Sequence, residues 1–116
     1  MSGILLYEDD DLMSALLQEW LRTAGYRVLT DPSGPSTADL AIVSIYMPKH
    51  GGMQRVREIR AAHPGSPLIA ISGQFRAGLA ADGPTARILG VQQVIAKPLT
   101  RNDLLDAVRA VIGRPH

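Results

Sequence analysis

The sequence contains no cysteine, which excludes a disulfide scaffold and every thiolate metal or redox site. It also lacks an excess of one charge, because 12 basic and 11 acidic residues leave a formal net charge of +1. No global field therefore steers nucleic acid or an anionic membrane toward it. No apolar run approaches the roughly 20 residues of a membrane span, and the N-terminus lacks the segments of a signal peptide. These absences predict a cytoplasmic domain that binds neither nucleic acid nor membrane.

What is present indicates one folded domain over residues 1–116. Hydrophobic residues make up 46% of the chain and charged residues 20%, so the chain should fold rather than remain disordered. A chain of 116 residues has the length of a single domain.

Apolar runs of strand length alternate with helical patterns along the chain. The predicted strands are 3–7, 26–30, 40–43, 68–71 and 91–96. The first predicted helix follows residue 11, with one apolar stripe at 12, 16, 20 and 24 and further apolar residues beside it at 13, 17 and 21. A second helix is predicted over 53–62, and a capping box at 100–103 opens the last one. An irregular helix is expected within 75–90. This alternation predicts an α/β domain with a parallel sheet and right-handed crossovers.

In such sheets the chemistry lies beyond the carboxyl ends of the strands. The polar residues at those ends are Glu8, Asp9, Asp31, Ser44, Ser72 and Lys97, the last followed by Pro98. We therefore expect acids, hydroxyls and one lysine to converge on a single edge of the sheet.

Four segments at these ends carry a resemblance to a known family. They are 4–10 (ILLYEDD), Met47-Pro48, Ser72-Gly73 and 94–98 (VIAKP). In this order and spacing the sequence resembles the CheY-like receiver domain of bacterial two-component response regulators, over essentially the whole chain. The resemblance implies a flavodoxin-like, doubly wound five-stranded sheet of order 2-1-3-4-5. It also implies a signalling module rather than an enzyme, phosphorylated by a partner histidine kinase on an aspartate at the end of strand three.

The resemblance also implies the roles of individual residues. Glu8 and Asp9 match the acidic pair that holds Mg²⁺, and Ser72 matches the switch hydroxyl. Lys97 matches the lysine that binds the phosphoryl oxygens, and Lys97-Pro98 stands where the family has a cis peptide bond. We expect Lys97 to pair with Glu8 or Asp9.

The phosphoacceptor position departs from the family pattern, because the residue three before Met47 is Ser44. Serine supplies neither the acyl-phosphate nucleophile nor a metal-binding carboxylate. With Ser44 the two acids and Lys97 leave a formal charge of −1, which weakens the attraction for Mg²⁺. We therefore expect no required cofactor and at most a weak Mg²⁺ site at Glu8 and Asp9.

A second departure is the short link between strands two and three. Residues 31–38 are too few for a crossover that contains a helix, so the second helix is predicted to be missing or much reduced. The sheet face beside strands one and three would then be under-covered. We expect this face, or the edge strand over 26–30 beside it, to contact another chain, for example in a homodimer.

Three functional hypotheses follow. The first is a degenerate receiver that signals without aspartyl phosphorylation, through contact with a histidine kinase or a downstream regulator. The second is a phosphoryl-accepting receiver in which Ser44 replaces a native aspartate, or in which Glu8 or Asp9 accepts the group. The third, a small α/β enzyme, is disfavoured because no nucleophile–base pair or cofactor fingerprint is present.

The remaining polar residues receive structural interpretations. Asp10 or Asp11 is expected to cap the first helix. The arginines of the helix over 53–62, at positions 55, 57 and 60, are interpreted as a solvated face. The three histidines, at 50, 63 and 116, are too scattered to bind a metal ion together.

Overall fold

The computed structural model describes residues 3–29, 38–45, 53–63, 65–72, 91–96 and 99–113. Within them the chain forms five strands and three helices. The strands are β1 (Gly3–Tyr7), β2 (Arg27–Leu29), β3 (Leu40–Ile45), β4 (Leu68–Ser72) and β5 (Gln93–Ala96). The helices are α1 (Asp11–Thr23), α2 (Met53–Ala62) and α3 (Arg101–Ile112). The expected irregular helix within 75–90 lies outside the described residues.

The strands form one parallel sheet of order β2-β1-β3-β4-β5. This confirms the predicted order and the doubly wound, flavodoxin-like architecture. The three central strands are continuous apolar runs because helices cover both of their faces. β3 and β4 each extend beyond the predicted end, so Ser44 lies within β3 rather than after it.

The two faces of the sheet carry separate apolar clusters. One cluster buries Ile4, Ile42 and Ile69 beneath α1 and α3. The other buries Leu5, Ala41 and Ala70 beneath Val56 and Ile59 of α2. Alternate residues of each strand therefore point into opposite halves of the core, as the period of a strand requires.

The core face of α1 is centred on the second of the two predicted groups of apolar residues. Leu17 and Leu21 are fully buried. In the first stripe Leu12 is 84% exposed and Leu16 is 38% exposed, while Trp20 and Ala24 pack against the core. Leucines occupy both stripes, so periodicity alone did not fix which one faces the sheet.

The helix caps follow the sequence. Asp10 is the N-cap of α1 and accepts hydrogen bonds from the backbone N–H groups of Leu12 (2.9 Å) and Met13 (3.2 Å). The capping box of α3 forms between Thr100 and Asp103, at 3.1 Å and 2.9 Å. Both predicted caps are confirmed, and each satisfies N–H groups that the helix itself leaves without partners.

The predicted gap in the sheet covering does not occur on the described residues. Leu5 is 3% exposed, and Ala41 and Val43 are fully buried, so this face beside β1 and β3 is covered. The expectation of an under-covered apolar face is wrong there, because α2 already packs against it. The homodimer remains a prediction without this support, and the link that would carry the reduced helix, residues 30–37, lies outside the described part. Among the helices described, none is long and apolar enough to span a membrane.

Candidate functional site

The register of the sheet brings three of the predicted site positions to one edge. Tyr7 pairs with Val43, so the next residues along these strands, Glu8 and Ser44, are neighbours. β3 and β4 pair through Ser44 and Ile71, and Ser72 follows as the last residue of β4. The carboxyl ends of β1, β3 and β4 therefore meet as the topology predicted.

Two predicted site residues, Lys97 and Pro98, lie outside the described residues. They follow β5 in the chain, and the last residue of β5, Ala96, pairs with Ser72. The predicted pairing of Lys97 with an acid stays a prediction. The position of Ser72 in the sheet is described, but its side chain is not.

Glu8 and Asp10 organise the turn that leaves β1. The backbone N–H of Asp10 donates to Oε1 of Glu8 at 3.0 Å. Glu8 is half-buried, and its second oxygen, Oε2, is fully buried. The Glu8 carboxylate therefore lies inside the edge of the sheet, while Asp10 serves as a helix cap.

Asp9 forms an ion pair that the sequence interpretation missed. The Arg55 guanidinium donates through Nη1 to Oδ2 at 2.6 Å and through Nη2 to Oδ1 at 3.3 Å. The Asp9 side chain is 67% exposed and the Arg55 side chain 29%. The hydrogen bond from Arg55, more than its charge, lowers the pKa of Asp9. Arg55 therefore belongs to the site, and its assignment to a solvated face is wrong.

One signal in the sequence pointed toward this contact. Arg55 lies in the first turn of α2, where the helix dipole disfavours a cation, and that turn contains no acidic residue. A cation in this place needs a carboxylate from elsewhere. The acidic turn after β1 supplies it, because α2 begins at the edge of the sheet where β1 ends.

Ser44 is 1% exposed and lies in β3 between the two neighbouring strands. Its short side chain brings no charge into the interior of the sheet. The position that the family resemblance assigns to the phosphoacceptor is therefore a buried, neutral hydroxyl.

Among the described residues, few ligands are available to a Mg²⁺ ion. Mg²⁺ binds oxygen ligands in a strict octahedral geometry and usually takes carboxylates. Within the described part of the chain, no three acidic, histidine or cysteine side chains come together to hold a metal ion. Both oxygens of Asp9 accept hydrogen bonds from Arg55, and Ser44 contributes no carboxylate.

A second polar contact joins β1 to the end of α2. The Tyr7 hydroxyl lies 2.9 Å from Nε2 of His63, and His63 is 7% exposed. Burial raises the pKa of Tyr7, while the nearby charge of Arg55 acts in the opposite direction. His63 is therefore part of the core packing.

The chain matches the family model of the response regulator receiver domain over residues 4–109. The chain belongs to this receiver domain family. The curated relatives include the transcriptional regulatory protein CpxR of Klebsiella pneumoniae, 29% identical over 123 aligned positions that cover 100% of this chain and 51% of the relative. The chain thus spans about half the length of this relative.

Solved receiver domains share its fold. A response regulator receiver domain from Clostridium thermocellum matches with a TM-score of 0.76 and 25% identity, covering 97% of this chain and 94% of that one. The receiver domain of the sensor histidine kinase PA1611 from Pseudomonas aeruginosa matches with a TM-score of 0.74 and 26% identity, covering 97% and 98%. That structure has a magnesium ion coordinated in its active site cleft.

Proposed function

We propose that this receiver domain signals without aspartyl phosphorylation and acts as a protein-interaction module. The observation that carries the proposal is Ser44, a buried hydroxyl at the position where the family resemblance places the phosphoacceptor. A serine hydroxyl lacks the negative charge with which a carboxylate attacks a phosphoryl group. The domain keeps the scaffold of a receiver but lacks the group that would carry the phosphate.

The Asp9–Arg55 ion pair supports this proposal over a single replacement of a native aspartate at position 44. A receiver that used Asp9 to hold Mg²⁺ would have to free that carboxylate from two hydrogen bonds. Restoring an aspartate at 44 alone would leave this obstacle in place. Two separate features of the pocket, Ser44 and Arg55, thus point in the same direction.

The partner that we propose is a histidine kinase or a downstream regulator in the cytoplasm. Two-component receivers work by such contacts, and the Klebsiella pneumoniae relative is named a transcriptional regulatory protein. We propose no enzymatic activity for this domain, and no nucleic-acid or membrane binding, since its net charge of +1 provides no strong field.

Intact-mass spectrometry after incubation with Mg²⁺ and acetyl phosphate tests the proposal. A receiver domain with an intact aspartate, treated in parallel, serves as the positive control for the phosphodonor. We expect the mass of this chain to stay unchanged while the control gains one phosphoryl group. A stoichiometric phosphoryl adduct on this chain, located by peptide mapping to Glu8, Asp9 or Ser44, would overturn the proposal.

A further inference from the structure

We propose that the Arg55 guanidinium takes the place of the divalent cation in this pocket, so that the chain itself neutralises part of the negative charge at this edge. This inference rests on the proposed function, because a receiver that signals without phosphorylation needs no metal ion at this edge. It assigns to Arg55 a role that neither the family pattern nor the solvated-face interpretation gives it.

The geometry of the ion pair engages the whole Asp9 carboxylate. Arg55 reaches both oxygens of Asp9, at 2.6 Å and 3.3 Å, in the two-pronged arrangement that suits a guanidinium. A metal ion would bind the same two oxygens, at about 2.0–2.1 Å. Mg²⁺ and Arg55 are both cations, so they compete for the Asp9 carboxylate.

The charges at this edge also disfavour a divalent ion. Glu8 and Asp9 are the acids at this edge, and together they carry a formal charge of −2 when ionised. Arg55 reduces this charge to −1 and places a positive group beside the site where a cation would bind. A divalent ion would thus meet both a weaker attraction and a direct repulsion.

Arg55 also connects two elements of the pocket edge. It joins the turn after β1 to the first turn of α2, two segments separated by 46 residues in the chain. Its side chain is 29% exposed, less than half the exposure of Asp9, so its stem packs against the domain while its head faces the acid. The pair therefore connects two elements of the pocket edge without a bound ion.

Isothermal titration calorimetry with MgCl₂ tests the inference on the whole chain. We expect no saturable binding to the wild type at millimolar Mg²⁺, and the same result for Arg55→Lys, which keeps the charge. Arg55→Met removes the charge and should gain measurable binding. Arg57→Met, at an exposed position of the same helix, is the matched control and should behave like the wild type.

A second set of variants carries Ser44→Asp, which supplies the missing carboxylate. In Ser44→Asp the Mg²⁺ affinity should stay low, and in Ser44→Asp combined with Arg55→Met it should rise roughly tenfold or more above that single variant. If Arg55→Met fails to fold by circular dichroism, Arg55→Gln replaces it in both backgrounds.

Equal Mg²⁺ affinities in the wild type and the Arg55→Met variant would overturn the inference. The mass measurement separates this failure from a failure of the proposed function. A wild-type chain that binds Mg²⁺ but gains no phosphoryl group contradicts only the role of Arg55. A chain that gains a phosphoryl group contradicts the proposed function itself.

Discussion

A negative charge introduced at position 44 should destabilise the domain. Ser44 is 1% exposed, and in the sheet register it neighbours Glu8, whose Oε2 is buried. Neighbouring strands lie about 4.8 Å apart, so we take about 5–6 Å between the two carboxylates. At an effective dielectric constant of about 20, two unit charges at this separation repel by about 3 kcal/mol. Burial of the new carboxylate adds to this cost, and Arg55 offsets part of it.

We therefore expect Ser44→Asp to lower the free energy of unfolding by about 2–4 kcal/mol at pH 7 without Mg²⁺. The matched control is Ser44→Asn, because asparagine has nearly the same shape as aspartate but no charge. The difference between the two variants in the free energy of unfolding therefore isolates the electrostatic cost. With a urea m-value of about 2 kcal/mol/M, the middle of the usual range, a difference of about 2–4 kcal/mol separates the two midpoints by about 1–2 M.

The pH dependence of this difference gives a second check. Repulsion from Glu8 and burial should raise the pKa of the new carboxylate above its value of about 3.9 in the unfolded chain. A raised pKa means that the folded state loses stability as the pH rises above the unfolded value. The deficit of Ser44→Asp relative to Ser44→Asn should thus shrink as the pH falls toward 4. Equal urea midpoints of the two variants at pH 7 would refute the electrostatic reasoning.

Three further predictions concern the fold, each measured by equilibrium unfolding. Leu21→Ala should cost about 2–5 kcal/mol because Leu21 is fully buried, whereas Leu12→Ala, at an 84% exposed position, should change stability by less than about 0.5 kcal/mol; equal costs would contradict the core face of α1. Thr100→Ala removes the capping box of α3 and should cost about 1 kcal/mol, so an unchanged stability would argue against that cap. The Tyr26 hydroxyl donates to the Gly113 carbonyl at 2.8 Å, and burial raises the pKa of Tyr26. The free energy of unfolding should therefore fall as the pH rises above about 10, and Tyr26→Phe should weaken that dependence on pH.

The sequence predicted the sheet well because buried parallel strands are recognisable locally. The run at 40–43 is apolar without alternation, which is typical of a strand covered on both faces. The same pattern placed the carboxyl ends of the central strands to within two residues, and with them Glu8 and Ser44 near one edge. The capping residues Asp10 and Thr100 were also recognisable, because a cap is decided within four residues of chain.

The parts that the sequence did not predict depend on how separate elements meet. Two leucine stripes of α1 satisfy the helical period equally well, and only docking on the sheet selects the one with Leu17 and Leu21. The cation in the first turn of α2 hinted at an acidic partner, but the identity of that partner, Asp9, depends on where α2 begins relative to β1. The predicted under-covered face failed for a similar reason, since Leu5, Ala41 and Val43 are buried in one cluster with side chains of α2.

The central claim is that this pocket responds neither to a phosphodonor nor to Mg²⁺. The most direct test is a ¹H–¹⁵N correlation spectrum of the wild-type chain, recorded before and after addition of Mg²⁺ and then of acetyl phosphate. The account predicts that the amide signals of Asp9, Ser44 and Arg55 keep their positions through both additions. A specific, saturable shift of these three signals would contradict the claim, provided that the signals of the core cluster beneath α1 and α3 stay unchanged.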